Sequence, residues 1–455
     1  MGRITLKQAA AWCGGRVDPK FENVTFLGAN NDTRRILPGQ LFVALEGVRD
    51  GHDFIDMAFE KGAGAVLCKH CDEKYPAILV DDPRIALGQI ASGERRRIGM
   101  KTVAVTGSVG KSTTKEMIAA VLSGDYIVSK TPANFNNDLG MPMSMLAMGE
   151  DTQVAVLEMG MSHFGEIAYL SHIGNPDVAV IINVGVMHME NLGSREGVLQ
   201  AKLEILEGLK PEGKAFFCGD NDMLRNCRPG REVTYFGTDA AVCTVCGSCV
   251  EEKDGILSFD VTAGAERFRI RLPLEGQHYV CDALAAVAVG LSMGVSPENI
   301  ALRLSVFQNM AGRQEIFTAK GCTIIKDCYN AGPESMAAAL SVLGRRGSKR
   351  IAVLGDMLEL GEQTLDAHVQ TGIRAAEHAD ILLSYGPNAC HMVAAAREKG
   401  MPAEKALMFE DRGVMAQALK ALAVPGDTIL FKGSHGMHME LVLEQFLKEE
   451  TDTEE

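Results

Sequence analysis

Residues 103–124, VAVTGSVGKSTTKEMIAAVLSG, carry the residue types that hold phosphates. An apolar, β-branched run leads into Gly107-Ser108-Val109-Gly110, and Lys111, Ser112 and Thr113 then open a helix. Glycines let backbone N–H groups turn inward on an anion, and a helix N-terminus adds its dipole. Lys111 puts a cation on the outer phosphates, and Ser112 or Thr113 offers a hydroxyl to Mg2+. A strict Walker A loop needs glycine five positions before the Gly of Gly-Lys. Val105 stands there, so this loop is a shorter variant. A plain helix cap after a glycine turn is the competing reading. Lys111 argues against it, because the helix dipole disfavours a cation at that end unless an anion sits there.

Two apolar runs downstream also end in polar groups: VAVLEMGMS offers Glu158, and VAVIINVGVMHMENLGS offers His188. In an open α/β sheet, ligands gather just beyond the carboxyl ends of the strands. A carboxylate one strand from a phosphate loop is a natural Mg2+ ligand there. Taken singly, Glu158 suits a solvent-facing strand end equally well, and His188 suits a satisfied loop histidine. Three neighbouring strand ends converging on one crevice give both more weight. Lys202, in VLQAKLEILEGL, reads from periodicity as a surface lysine opposite Glu204 or Glu207. The buried stripe of that helix would be Val198, Leu199, Leu203 and Leu206.

These groups need a scaffold, and its outline is visible. The 455 residues exceed one core and suggest about three domains at roughly 150 residues each. Residues 1–82 mix short strands and turns and stop at Asp82-Pro83. From 101 onward, strands and helices alternate (KTVAVTG, KSTTKEMIAAVL, QVAVLEMG, GEIAYLSHIG, DVAVIINVG, REGVLQAKLEILEGL), which signals a parallel sheet covered on both faces. Short alternating strands such as RFRIRL fill 232–274, followed by the helix CDALAAVAVGLSMG. From about Gly312 a second doubly wound unit begins, and KEETDTEE reads as a frayed acidic tail. The expected class is α/β in three domains. They are a small α/β N-terminal domain (1–82), a central P-loop mononucleotide-binding parallel sheet (83–312) and a C-terminal Rossmann-like domain (313–455).

Composition excludes several function classes. With 46% hydrophobic and 23% charged residues and a net charge of -14, the chain reads as globular. It lacks the basic surface that nucleic acid or an anionic membrane would need. MGRITLKQAAAWCGG shows no apolar signal core, and no run approaches the ~18 apolar residues of a membrane span. Twelve cysteines without an export signal suggest reduced thiols in a cytoplasm. Cys243, Cys246 and Cys249 are at metal-like spacing, but no fourth ligand is paired with them. They read as small residues along a strand and turn.

With these residues laid out, nearly the whole chain resembles the Mur ligase family, ATP-dependent amide-forming enzymes of peptidoglycan precursor synthesis. The family's phosphate loop matches Thr106, Gly107, Ser108, Val109, Gly110, Lys111, Ser112 and Thr113. Its metal-binding Glu and His match Glu158 and His188, and its carbamylated lysine matches Lys202. DTRRILPGQLFVALEGVRDGHDFIDMAFEKGAGAVL is similar to a uridine-nucleotide-binding domain, with Asp32, Thr33 and Arg34 in its motif. TPANFNNDLGMP resembles a substrate segment, with Asn134, Asn136 and Asn137. KDCYNAGPESMAAAL, VLGDMLELG and LFKGSHGMHME are similar to C-terminal signatures, bringing in Asn330, Lys432 and Ser434.

The resemblance implies a ligase that joins D-Ala-D-Ala to UDP-MurNAc-tripeptide through an acyl phosphate. ATP and two Mg2+ would take part, the metals held by Ser112, Glu158, His188 and carbamylated Lys202. Arg313 would meet phosphate and Asp327 ribose, with Asn330 and Asp282 also at the nucleotide, and a hinge near 310–315 would let two domains close. A monomer is expected. Three positions depart from the family pattern: Asp282 and Gly332 where Asn is usual, and His435 where Arg is usual. The alternatives are a sibling ligase adding a diamino acid to the dipeptide precursor, a folylpolyglutamate-synthetase-like ligase, and a nucleotide-gated scaffold without chemistry.

Overall fold

A computed structural model describes residues 4–448, so most of the acidic run expected to fray lies outside the described residues. The N-terminal part pairs Ile4–Thr5 with Thr25–Phe26. It then builds a four-stranded, all-parallel sheet from Ala29–Asn30, Leu41–Val43, Ala65–Cys68 and Ala77–Leu79, in chain order. The next helix, Pro83–Ile98, starts where the sequence breaks. The Asp82 carboxylate accepts from the N–H groups of Arg84 (2.8 Å) and Ile85 (3.2 Å), and Pro83 occupies the first turn, where no N–H is missed.

A nine-stranded sheet forms the centre. Its parallel part runs Val233–Gly237, Lys214–Cys218, Val178–Ile181, Lys101–Thr106, Val154–Glu158, Val128–Lys130. The phosphate-loop strand therefore lies between the Glu158 strand and the strand leading to His188. The alternating strands beyond 232 extend this same sheet as an antiparallel ladder of Val245–Lys253, Ile256–Ala263 and Glu266–Leu272. Their alternation has a plain cause: Leu257, Phe259 and Val261 face the core while their neighbours face out. Cys246 and Cys249 lie on the first strand of that ladder, and Cys243 lies in the turn before it.

The surface-lysine reading of Lys202 is wrong. The helix Arg195–Leu203 buries Val198, Ala201 and Lys202, spaced i, i+3, i+4, while Leu199, Leu203 and Leu206 are only partly buried. The helix also ends at Leu203 and tightens into a 3₁₀ turn over Glu204–Leu206. The leucine count misplaced the stripe by a fraction of a turn.

The last part is a six-stranded sheet ordered Glu315–Ala319, Cys322–Asp327, Thr428–Lys432, Arg350–Gly355, Ile381–Tyr385, Ala406–Phe409. All neighbours are parallel except the first pair. The final strand inserts at the centre, which places Lys432 directly beside Asp327. Among the described residues, no helix is long and apolar enough to cross a membrane.

The cap at Asp82 fixes where the first long helix starts. Asp82→Ala should lower unfolding stability by about 1 kcal/mol, read from thermal or urea unfolding of the full chain.

Candidate functional site

A cleft of about 1260 Å³ opens between the carboxyl ends of the central and C-terminal sheets. The phosphate loop forms its floor. Gly110 has φ +82°, a left-handed conformation that an L side chain resists, and it starts the helix Lys111–Leu122. Asn183 braces the loop. Its Oδ1 accepts from the N–H groups of Ser108 (2.9 Å) and Val109 (3.0 Å), and its Nδ2 donates to the Val109 carbonyl (3.0 Å). Asn183 was not anticipated; its only trace in the sequence is a polar residue at a strand end, in VIINVG. Lys111 curls back to donate to the Gly107 (2.8 Å) and Ser108 (3.1 Å) carbonyls. Burial, and then Arg313, hold its pKa below the ordinary lysine value, against the pull of Glu158.

Glu158 is the anionic hub. Its Oε2 accepts from Ser112 Oγ (2.8 Å) and its Oε1 from Asn136 Nδ2 (2.9 Å). The fully buried Lys115 ammonium stands 3.6 Å from Oε2 and donates to the Thr131 carbonyl at 2.7 Å. Arg313 reaches across from the C-terminal part and donates from Nη2 to Ser112 Oγ (2.9 Å), while its guanidinium lies over the Tyr329 ring.

His188 lines the same cleft, whereas Lys202 is buried behind its lining. The His188 Nδ1 atom is buried without a hydrogen-bond partner, and the Glu359 carboxylate stands 3.1 Å away, out of line for one. Burial, then Lys111 and Lys202, push the imidazole pKa down to about 4, so it is neutral and its lone pair is free at pH 7. Lys202 is pushed well below the ordinary lysine value by burial and then by Lys111. A neutral imidazole, a carboxylate and a hydroxyl fit a divalent cation, and the unpartnered Nδ1 is the imidazole atom suited to ligate it.

From the opposite wall, the Lys432 ammonium donates to Asp327 Oδ2 (2.6 Å) and to the Asn330 carbonyl (3.0 Å). Asp282 lies against the loop and accepts from Thr114 Oγ1 (2.8 Å). Asn134 and Asn137 line the cleft, and the Asn137 Oδ1 caps the turn at Gly140. Ser434 does not line it; that hydroxyl is spent on the backbone of Ala331 and Leu358. Asp32, Thr33 and Arg34 also stand apart from the cleft, Asp32 clasping Arg34 at 2.8 Å. Gly107, expected to free the backbone, instead gives room: a Cβ there would stand 3.2 Å from Ile182 Cβ.

Residues 105–290 match the Mur ligase middle domain, and residues 312–435 match the Mur ligase, glutamate ligase domain. A UDP-N-acetylmuramoyl-tripeptide–D-alanyl-D-alanine ligase of Bacillus subtilis is 39% identical over 98% of this chain and 99% of its own length. The chain belongs to the Mur ligase family. A crystal structure of MurF from Acinetobacter baumannii superposes with a TM-score of 0.90 at 30% identity, covering 99% of this chain and 100% of its own. MurF ligase of Thermotoga maritima in complex with ADP gives 0.82 at 30% identity, covering 92% and 97%.

One feature of this Mur ligase sets a pH dependence. Burial raises the Asp282 carboxyl from 3.8 to about 7, against the opposing effects of the Thr114 hydrogen bond and Arg313. The folded-state value lies above the unfolded one. The stability linked to this proton is therefore complete below about pH 4 and is lost as pH rises through 7. Asp282→Asn keeps an acceptor for Thr114 and cannot ionise. The variant should match the parent near pH 4 and exceed it at pH 8 by up to about 4 kcal/mol. Urea unfolding of both proteins at the two pH values checks this, and a pH-independent difference would contradict it.

Proposed function

We propose that this chain joins the carboxylate ending UDP-N-acetylmuramoyl-tripeptide to the amine of D-alanyl-D-alanine. ATP is consumed, and UDP-MurNAc-pentapeptide, ADP and phosphate are released, as a step of peptidoglycan precursor synthesis. The observation that carries this reading is the full-length relationship to a ligase bearing that name, at 39% identity. ATP as co-substrate is supported by the related ligase solved with ADP.

The chemistry follows from the poor leaving ability of a carboxylate oxygen. The substrate carboxylate attacks the γ-phosphate, ADP leaves, and the acyl phosphate accepts the dipeptide amine. A tetrahedral adduct then expels phosphate. Two anions must meet in the first step, so positioned cations dominate the catalysis. Lys111, already held over the loop carbonyls, swings to the outer phosphates, and Arg313 approaches them from the other domain. Ser112, Glu158, His188 and carbamylated Lys202 would hold Mg2+, which, when bound, neutralises the phosphate oxygens. Lys202 suits carbamylation because burial and Lys111 hold its pKa well below the ordinary lysine value, which favours the unprotonated amine whose lone pair attacks CO2 with release of a proton.

Residues 1–82 form the uridine-nucleotide unit, with Asp32, Thr33 and Arg34 at its ligand. Residues 83–312 form the ATP unit, and residues 313–455 the unit that takes D-Ala-D-Ala and closes. Asp327 and Asn330 meet the nucleotide, while Asn134, Asn137 and Lys432 face the tripeptide and the incoming dipeptide. Gly312 (φ +75°) and Gln314 (φ +47°) give the 310–315 link an unusual backbone, and it serves as the hinge. The chain acts as a monomer in the cytoplasm.

A phosphate-release assay with ATP, Mg2+ and UDP-MurNAc-tripeptide should depend on added D-Ala-D-Ala. Release that ignores the dipeptide would overturn the assignment. Lys202→Ala should lose about 100-fold or more in rate and regain part of it with short carboxylic acids that fill the carbamate position. An active, unrescued variant would rule out the carbamate.

A further inference from the structure

At the edge of the same cleft, next to the flank where Asp282 meets the phosphate-loop helix, sits a donor set that the proposed ligase reaction does not use. Cys218 ends the strand Lys214–Cys218, Asp220 follows it by two residues, and Cys281 lies in the first turn of the helix Tyr279–Ser292. One ligand atom from each lies within 4.8 Å of the other two. Among the described residues, no other trio of His, Cys, Asp and Glu side chains converges so closely. We propose that Cys218, Cys281 and Asp220 form a binding site for one thiophilic divalent cation of the Zn2+ class.

Three observations carry this. The first is chemistry: two sulfurs and a carboxylate oxygen make a ligand set that favours Zn2+ or Co2+ and rejects Mg2+. The site is thus chemically separate from the oxygen and imidazole donors around Glu158. The second is geometry. Tetrahedral Zn2+ with bonds of 2.0–2.3 Å puts its ligand atoms roughly 3.5–3.8 Å apart. Cys281 Sγ is already 3.4 Å from Asp220 Oδ2, and small rotamer shifts close the remaining gap.

The third is that Asp220 is built into place. Its carboxylate accepts from the Thr238 N–H (2.8 Å), the Thr238 hydroxyl (2.9 Å) and the Asp239 N–H (3.1 Å). A Cβ at Gly237 would stand 2.5 Å from Asp220 Oδ1, so glycine is needed for the carboxylate to lie there. Cys218 is buried, Cys281 is half-buried and Asp220 is exposed, yet all three line the cleft. The set therefore supplies three protein ligands and leaves a fourth position open on the cleft side, beside Asp282.

The test uses the full chain, freed of transition metals and kept in excess Mg2+, with Co2+ as probe. One equivalent of Co2+ should produce a thiolate-to-cobalt charge-transfer band that Zn2+ removes. Cys218→Ser and Cys281→Ser should each abolish the band, and Asp220→Asn should weaken Co2+ binding about tenfold. Absence of the band in the parent protein, or its survival in both serine variants, overturns the proposal. Should a serine variant fail to fold, the parent protein still decides. Zn2+ should slow alkylation of Cys218 and Cys281 about tenfold or more by mass spectrometry, and unchanged alkylation rates overturn the proposal.

Discussion

The structure depends on one buried imbalance of charge. Glu158, 2% exposed, is the carboxylate around which the cations Lys115, Lys111 and Arg313 are arranged, and Lys202 is buried nearby. Removing such groups from water is costly unless each finds a partner. Lys115 is satisfied by Glu158 and by the Thr131 carbonyl; Lys111 has only loop carbonyls, and Lys202 is driven toward neutrality. A region so rich in positive charge is stabilised by the arrival of anions, and triphosphate supplies them. Affinity for the nucleotide is thus the counterpart of the positive charge gathered in the cleft.

The surrounding architecture keeps that imbalance from collapsing. Parallel register pairs Val105 with Glu158 and Thr106 with Ile181, so loop, carboxylate and histidine leave the sheet at one edge. Asn183 holds the loop from the neighbouring strand. Without its side chain, the Val109 N–H would lose its acceptor, at about 1–3 kcal/mol where water cannot replace it, while the Ser108 N–H keeps the Asn183 backbone carbonyl at 3.2 Å. His188, at φ +64°, takes a conformation that a branchless turn residue would favour, and its buried Nδ1 has no hydrogen-bond partner. Backbone strain at such a point is characteristic of a site that is set before its ligand arrives.

Much of this was legible in the sequence, for a physical reason. The helix Lys111–Leu122 and the strands ending at Thr106, Glu158 and Ile181 have strong periodicity and abrupt glycine or polar stops, so local chemistry alone places them. Lys202 was not legible, because a lysine contributes polarity to any periodicity count while its burial is decided by what packs above it. Asn183 and Lys115 escaped for a related reason: their roles consist of contacts 75 and 16 residues away in the chain. The ladder of strands from 245 to 272 showed its alternation, but its attachment to the central sheet depends on pairing that no local pattern encodes. Family resemblance gave roles to Glu158, His188 and Lys202, whereas it gave no hint of the thiols at Cys218 and Cys281.

The two-sheet cleft explains why an acyl phosphate can be made here without being wasted. Arg313, within the 310–315 link, already shares Ser112 with Glu158, so the start of the C-terminal part completes the hydrogen-bond network of the phosphate loop. Lys432 and Asp327, at adjacent strand ends of the second sheet, face the same space. Cationic side chains therefore face the cleft from both walls, Lys111 from one and Arg313 and Lys432 from the other. In the proposed reaction, walls brought together would also exclude water from an acyl phosphate that water would hydrolyse. Splitting the charge-stabilising groups between two sheets makes productive geometry and protection of the intermediate the same event.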